Sequence, residues 1–269
     1  MNETEKIILQ QELDIRRKLA GETDNEFASN TRCLMPFLPS RIQKEANELI
    51  DGATLVQAPS FQELFYIPIV HDIALRQAGT YRDFLREVFQ ILNEQPKIPT
   101  IIADGDCASL KFTRSSIINS RLRTLSLALE YAGLNYQTVS KGKESIDGYQ
   151  NVIVDFLSNN PGFRAAGVDS TTGQVIGTFD MLPELFASRQ IARMVRFRLG
   201  VEARTRLSLN GISKLTTNER VIFFQGKDHK NGVEEWCKRN SVELKTMAPP
   251  STQAVKPIFF NYDTRQIQK

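Results

Sequence analysis

An apolar run that ends in two carboxylates one residue apart, Pro99-Thr-Ile-Ile-Ala-Asp104-Gly105-Asp106, constrains this chain more than any other stretch of it. Residues of this type over this length form a buried strand, and acids at the carboxyl end of a buried strand are costly unless they have work to do. In an open α/β sheet, ligands bind in the crevice beyond the carboxyl ends of the strands, so Asp104 and Asp106 would face that crevice from a rigid base. Two hard oxygen donors there suit a magnesium ion (Mg2+) that keeps several waters and meets a phosphate. The same residues also suit an ordinary turn, since Asp and Gly cap and close strand-to-helix loops.

Composition narrows the classes. A chain of 269 residues, 41% hydrophobic and 24% charged, has the make-up of a globular protein with a sizeable core. A net charge of +3 and a pI near 8.7 are too mild to identify a nucleic-acid binder by themselves. Cys33, Cys107 and Cys237 stand far apart, which fits a reducing compartment and no zinc spacing. His71 and His229 are the only imidazoles, so a histidine-rich metal site is not expected. No apolar run approaches a membrane span and the first residues lack a signal-like pattern, so a cytoplasmic protein is expected, with no membrane contact.

The pass along the chain gives an α/β fold with a central, mainly parallel sheet and flanking helices. Residues 3 to 20 have the pattern of a peripheral amphipathic helix, and Gly21 to Thr31 read as a polar break. Ser40 to Ile50 read as a short helix stopped by Asp51-Gly52, and Ala53 to Pro59 as a first core strand. Pro68 interrupts the bulky apolar stretch from Ser60 to Ala78. Helical spacing covers Tyr81 to Leu92 and Ser116 to Ala132, with Gly133 as a cap and Leu134 to Val139 as the next strand. Strand, helix, strand in that order implies a right-handed parallel crossover around the Asp104 strand. The loop Ser140 to Gly148 would then bring Asp147 to the same edge of the sheet.

The succession Ile101-Ile-Ala-Asp104-Gly-Asp106, Thr113-Arg114, Ile117, Arg121, Leu125, Leu129-Glu130-Tyr-Ala-Gly133 and Lys141-Gly-Lys-Glu-Ser-Ile-Asp147 resembles the second half of a Toprim domain. The closest flavour is the Toprim-like module of bacterial mobile-element and plasmid replication proteins of primase type. The resemblance spans about residues 53 to 155 and implies a Rossmann-like core with Asp104, Asp106 and Asp147 as metal ligands. Toprim domains also carry a glutamate at the end of the first strand. Gln57 stands at that position here, and a neutral amide is neither a general base nor a source of the charge that holds a divalent ion. The expectation is therefore a module weakened or silent in catalysis.

Asn151 to Leu157 reads as either a strand or the start of a helix, and Gly167 to Phe179 as a hairpin. In Pro183 to Arg206, Arg189, Arg193 and Arg196 share a helix face, with Arg198, Arg204 and Arg206 nearby. Together with Arg114, Lys141 and Lys143 they are candidate phosphate contacts to DNA or RNA. The same arginines suit a solvated face paired with acids such as Glu184 and Glu202. A second βαβ-like piece follows, Arg220 to His229 running into a helix through Val233, Trp236 and Cys237, and then Val242 to Lys245. Its Gly-Lys-Asp turn has the shape of a PIN-type nuclease, for which Asp104, Asp106, Asp147 and Asp228 would be the acidic set. His229 reads as a turn or surface residue, and the aromatic tail beyond Pro249 as either a base-stacking or a core-anchoring segment. The expected organisation is an N-terminal helical segment 1–52, an α/β core 53–155 and a C-terminal extension 156–269 with the basic helix. The leading expectation is a nucleic-acid-binding Toprim-like module. A non-enzymatic interaction or assembly protein with protein partners and a PIN-type nuclease are the alternatives.

Overall fold

A computed structural model describes residues 22–55, 58–69, 78–94, 99–131, 148–177, 189–216 and 218–247. Helix α1 (Asp24–Arg32) starts at Thr23, whose hydroxyl accepts from the Glu26 amide while the Glu26 carboxylate accepts from the Thr23 amide. A 3-10 turn (Met35–Phe37) leads into α2 (Ser40–Thr54). Then come β1 (Glu63–Ile69), α3 (Ala78–Glu94), β2 (Thr100–Asp104), α4 (Arg114–Tyr131), α5 (Gly148–Asn159), β3 (Arg164–Gly167) and α6 (Thr171–Gly177). One long helical passage joins α7 (Arg189–Val195), a π-helical segment (Arg196–Ala203) and α8 (Arg204–Leu215). The described chain closes with β4 (Arg220–Gly226), a 3-10 turn (Lys227–His229), α9 (Lys230–Arg239) and β5 (Glu243–Thr246).

The five strands form one parallel sheet in the order β3-β2-β4-β1-β5. Side chains alternate across it as the pleat requires. Ile67, Ile69, Ile102, Ile222 and Phe224 pack with α3, α4 and α5 on one face. Leu64, Tyr66, Ile101, Val221 and Phe223 pack with α8 and α9 on the other. A third apolar cluster ties α1, α2, α6, α7 and the π segment into a helical layer. Both faces of the sheet are thus covered, which is why β2 and β4 read as continuous apolar runs rather than alternating ones.

Several expectations change here. The first strand is Glu63–Ile69, while Ala53 and Thr54 belong to the last turn of α2. Pro68 is tolerated because it lies past the stretch that pairs with β5, where β1 has one neighbour instead of two. Asp51-Gly52 does not stop α2. Gly52 faces α8, where a Cβ would lie 2.5 Å from Cδ1 of Leu207, the movable end of a flexible side chain. Part of the polar break is α1, 151–157 lies within helix α5, and the hairpin reading of 167–179 gives way to the end of β3 followed by α6. The segments 1–21, 134–139 and 140–147 lie outside the described residues. The 156–269 segment is more than an extension: it supplies β4, the centre of the sheet, so the boundary at residue 155 cuts through one sheet.

Candidate functional site

The chain leaves β2 toward the α4/α5 face and leaves its neighbour β4 toward the α9 face. Their carboxyl ends therefore part at a topological switch point, where an open α/β sheet places its ligand site. Asp104, Gly105 and Asp106 lie on the β2 side of it. The Gly105 amide donates to the Phe224 carbonyl at 2.7 Å and the Asp106 amide to Asp104 Oδ1 at 2.8 Å, so the turn is held by backbone donors. Gly105 is required for close approach, as a Cβ there would meet Gln225 and Phe223 side chains within 2.9 Å. From β3 the Val168 amide donates to the Asp104 carbonyl at 2.9 Å and Asp169 to the Cys107 carbonyl at 3.0 Å.

Asp104 is fully buried. Its carboxylate accepts from the Tyr149 hydroxyl at 3.2 Å and from Gln150 Nε2 at 2.7 Å, both in the first turn of α5. Burial, and then the neighbouring charge of Asp106, push its pKa up to about 7 against the opposing hydrogen bonds. The Cys107 thiol beside it is pushed up to about 12 by burial and by Asp104.

Asp106 belongs to a second cluster on the opposite face. The Arg204 guanidinium, at the start of α8, reaches Asp106 Oδ1 at 3.4 Å and forms a two-point pair with Asp169, with Nε at 2.9 Å from Oδ1 and Nη2 on Oδ2. Gln174 of α6 donates to Asp169 Oδ2 at 2.8 Å and to the Asp106 carbonyl at 3.0 Å. Burial alone would lower the Arg204 pKa, but the charges of Asp169 and Asp106 outweigh it and hold the guanidinium above its ordinary value. The side chains of Arg204 and Asp106 are each 11% exposed and that of Asp169 is fully buried. This is an internal ion cluster that locks the β2 turn, the β3 exit, α6 and α8 together.

Such an arrangement does not fit magnesium as built. A divalent ion needs free carboxylate lone pairs and room for water. Here Asp104 is held by donors of the chain itself, and Asp106 and Asp169 are bridged by a cation that the chain supplies. Among the described residues no group of three His, Cys, Asp or Glu is placed to hold a metal ion. Gln150 Oε1 and both amide atoms of Gln225 are buried without a hydrogen-bond partner, but both residues are fully enclosed and offer no surface to a ligand.

The other expected site residues scatter. Asp147, Lys141, Lys143 and Gln57 lie outside the described residues. With β1 at Glu63–Ile69, the end of the first described strand falls at Ile69, and the residues following it are also outside the described set. Arg114 opens α4 and pairs with the exposed Asp155 at 3.0 Å, at the mouth of a groove of about 660 Å³ between α3 and α5 that Arg86 also lines. Arg189 opens α7, Arg193 is exposed, and Arg196 pairs with Asp228 at 3.3 Å. Arg198 turns inward between Glu22 and Glu202 at 2.8 and 2.7 Å, and Arg206 turns to Asp24 with its guanidinium over the Phe27 ring. His229, read as a turn or surface residue, sits in a turn but is buried rather than on the surface, with Nδ1 at 2.7 Å from the Thr205 hydroxyl.

Nothing in the sequence marks Tyr149, Gln150, Asp169, Gln174 and Arg204 as partners of the two acids. Tyr149 and Gln150 directly follow Asp147-Gly148, the one sequence signal that pointed at this spot. No protein-family model, curated protein or solved structure matches the chain.

Proposed function

We propose that this protein is a nucleic-acid-binding module on a Toprim-like α/β frame, of the kind used in replication or by mobile elements, and that it works without magnesium chemistry. The observation that carries the metal-free part is Arg204, whose guanidinium already pairs with both Asp106 and Asp169 at the carboxyl edge of the sheet. Support for nucleic-acid contact comes from the arginine helix. Arg193 is exposed, and Arg196 is 42% exposed in a surface pair with Asp228, which costs little to exchange for a phosphate. Arg189 opens the same helix, four residues before Arg193.

A second reading, an interaction or assembly protein, is favoured by the fate of Arg198, Arg204 and Arg206, which are spent on pairs inside the fold.

Binding of the purified chain to single- and double-stranded DNA and RNA, at two salt concentrations and with magnesium or EDTA, tests the proposal. Salt-sensitive binding that is equal in magnesium and EDTA is expected. Changing Arg189, Arg193 and Arg196 to Gln should lower the salt slope by about one unit per lost phosphate contact. Absence of binding in every condition moves the protein to the assembly reading, and binding or cleavage that requires magnesium overturns the metal-free part.

A further inference from the structure

We infer that the nucleic-acid contact surface runs from the arginine helix onto the turn that follows β4, with Lys227 and Lys230 as further phosphate contacts and Asp228 as the resident anion that a phosphate displaces. The inference rests on the nucleic-acid reading above and names the part of the molecule that carries it. Charge at the carboxyl edge of the sheet is sorted by depth. Acids of the β2 turn and the β3 exit lie inside: the side chains of Asp104 and Asp169 are fully buried and that of Asp106 nearly so, with the Arg204 guanidinium beside the last two. Bases take the outside, where Arg193, Lys227 and Lys230 are exposed and Arg196 is 42% exposed.

The Arg196–Asp228 pair, at 3.3 Å, puts two stretches side by side: the start of the π segment and the 3-10 turn that leaves the central strand. Arg193 stands three residues before Arg196, one helical turn away, and Lys227 and Lys230 flank Asp228 along the chain. Four bases thus meet around one carboxylate that is itself 48% exposed. Lys230 also reaches Glu234 at 3.6 Å, and both of those side chains are about half exposed. Ion pairs this open to water are weak, so a phosphate oxygen takes the place of either carboxylate at little cost. Arginine offers a phosphate two parallel donors, and lysine adds a mobile point charge. A nucleic-acid backbone repeats its charge along a line, and its complement is a run of bases on adjoining elements, as the helix and the turn supply here.

Fluorescence anisotropy of labelled DNA and RNA oligonucleotides, single- and double-stranded, titrated with the full chain over a range of salt concentrations, tests this with single-charge variants at exposed positions. Circular dichroism of each variant checks its folding. Lys227→Gln and Lys230→Gln should each lower the salt slope by about one unit. Asp228→Asn should instead raise affinity at low salt, by roughly two- to fivefold, because a competing surface carboxylate is gone. Lys214 is exposed in the last turn of α8, next to Thr216, whose hydroxyl meets Ser60 ahead of β1 at the opposite edge of the sheet, so Lys214→Gln should leave the slope unchanged. Wild-type binding whose slope survives both Lys227→Gln and Lys230→Gln overturns this inference and leaves the nucleic-acid reading standing. An equal loss from Lys214→Gln does the same, since the attraction would then be diffuse. Weaker binding by Asp228→Asn overturns the displaced-anion role. Poly-glutamate that competes as well as nucleic acid at matched charge would assign the surface to an acidic protein partner and overturn the inference. No wild-type binding in any condition overturns both this inference and the proposed function.

Discussion

Asp104 makes folding itself sensitive to pH. Its ordinary value of 3.8 is raised to about 7 in the folded chain, so between those values the folded chain holds a proton that the unfolded chain has released. Stability therefore falls as pH rises through that window, by on the order of a few kcal/mol, and levels off above it. Asp104→Asn should flatten the profile and leave the chain more stable than wild type at pH 8, because the new amide can still accept from Tyr149 and can donate to the unpartnered Gln150 oxygen. Urea midpoints of both proteins at pH 5 and pH 8 decide it; an unchanged slope for the variant would remove Asp104 from the account. The cysteines divide in the same residue-level way. Burial pushes both Cys107 and Cys237 up to about 12, whereas Cys33 is exposed, so a thiol reagent should modify one cysteine in the native protein and all three after unfolding. More than one fast-reacting thiol in the folded chain would contradict that packing.

Among the elements, the π segment is the least ordinary. Its Gly200 packs on Gly177 so closely that a Cβ would come within 2.8 Å of the Gly177 Cα, with backbone rather than a yielding side chain in the way. Gly200→Ala should therefore cost roughly 1–3 kcal/mol by overpacking, measurable as a shift in denaturant midpoint. The contact also orients the segment so that Arg198 and Arg204, six residues apart, turn to different acid pairs at its two ends. Spacing alone did not foretell either turn, because an i, i+3, i+4 reading assumes uniform α-helical turns and has no term for the wider π turn. The same local logic explains the other surprises. In α1 the buried face rests on Phe27, Ala28 and Thr31, too little apolar weight to mark a helix, although the Thr23–Glu26 capping box was present in the sequence. The β2 run, by contrast, was legible because a strand buried on both faces writes its burial directly into its composition.

At the scale of the molecule, the parallel α/β class and the second strand-helix-strand unit were legible, while the strand order was not. Nothing local in Arg220–Gly226 says that it inserts between β1 and β2; that follows from reversal of direction after β3, which places α8 and α9 on the second face. The candidate site divides similarly: Asp104 and Asp106 stood out, but Arg204 lies 98 residues from Asp106 and meets it only through that reversal. One consequence is testable by truncation. A fragment of residues 53–155 holds β1 and β2 without the strand that joins them, so it should lack a cooperative unfolding transition, which circular dichroism against urea would show. A cooperative transition in that fragment would mean that β1 and β2 pair in some other order.

The central position of β4 also sets a timetable for synthesis. Ribosomes deliver β1, β2 and β3 long before Arg220–Gly226 emerges, and until then β1 and β2 expose unpaired backbone edges that are meant for a strand not yet made. Chaperone occupancy of the nascent chain should therefore persist until about residue 226 has cleared the exit tunnel, and fall once β4 is free to insert.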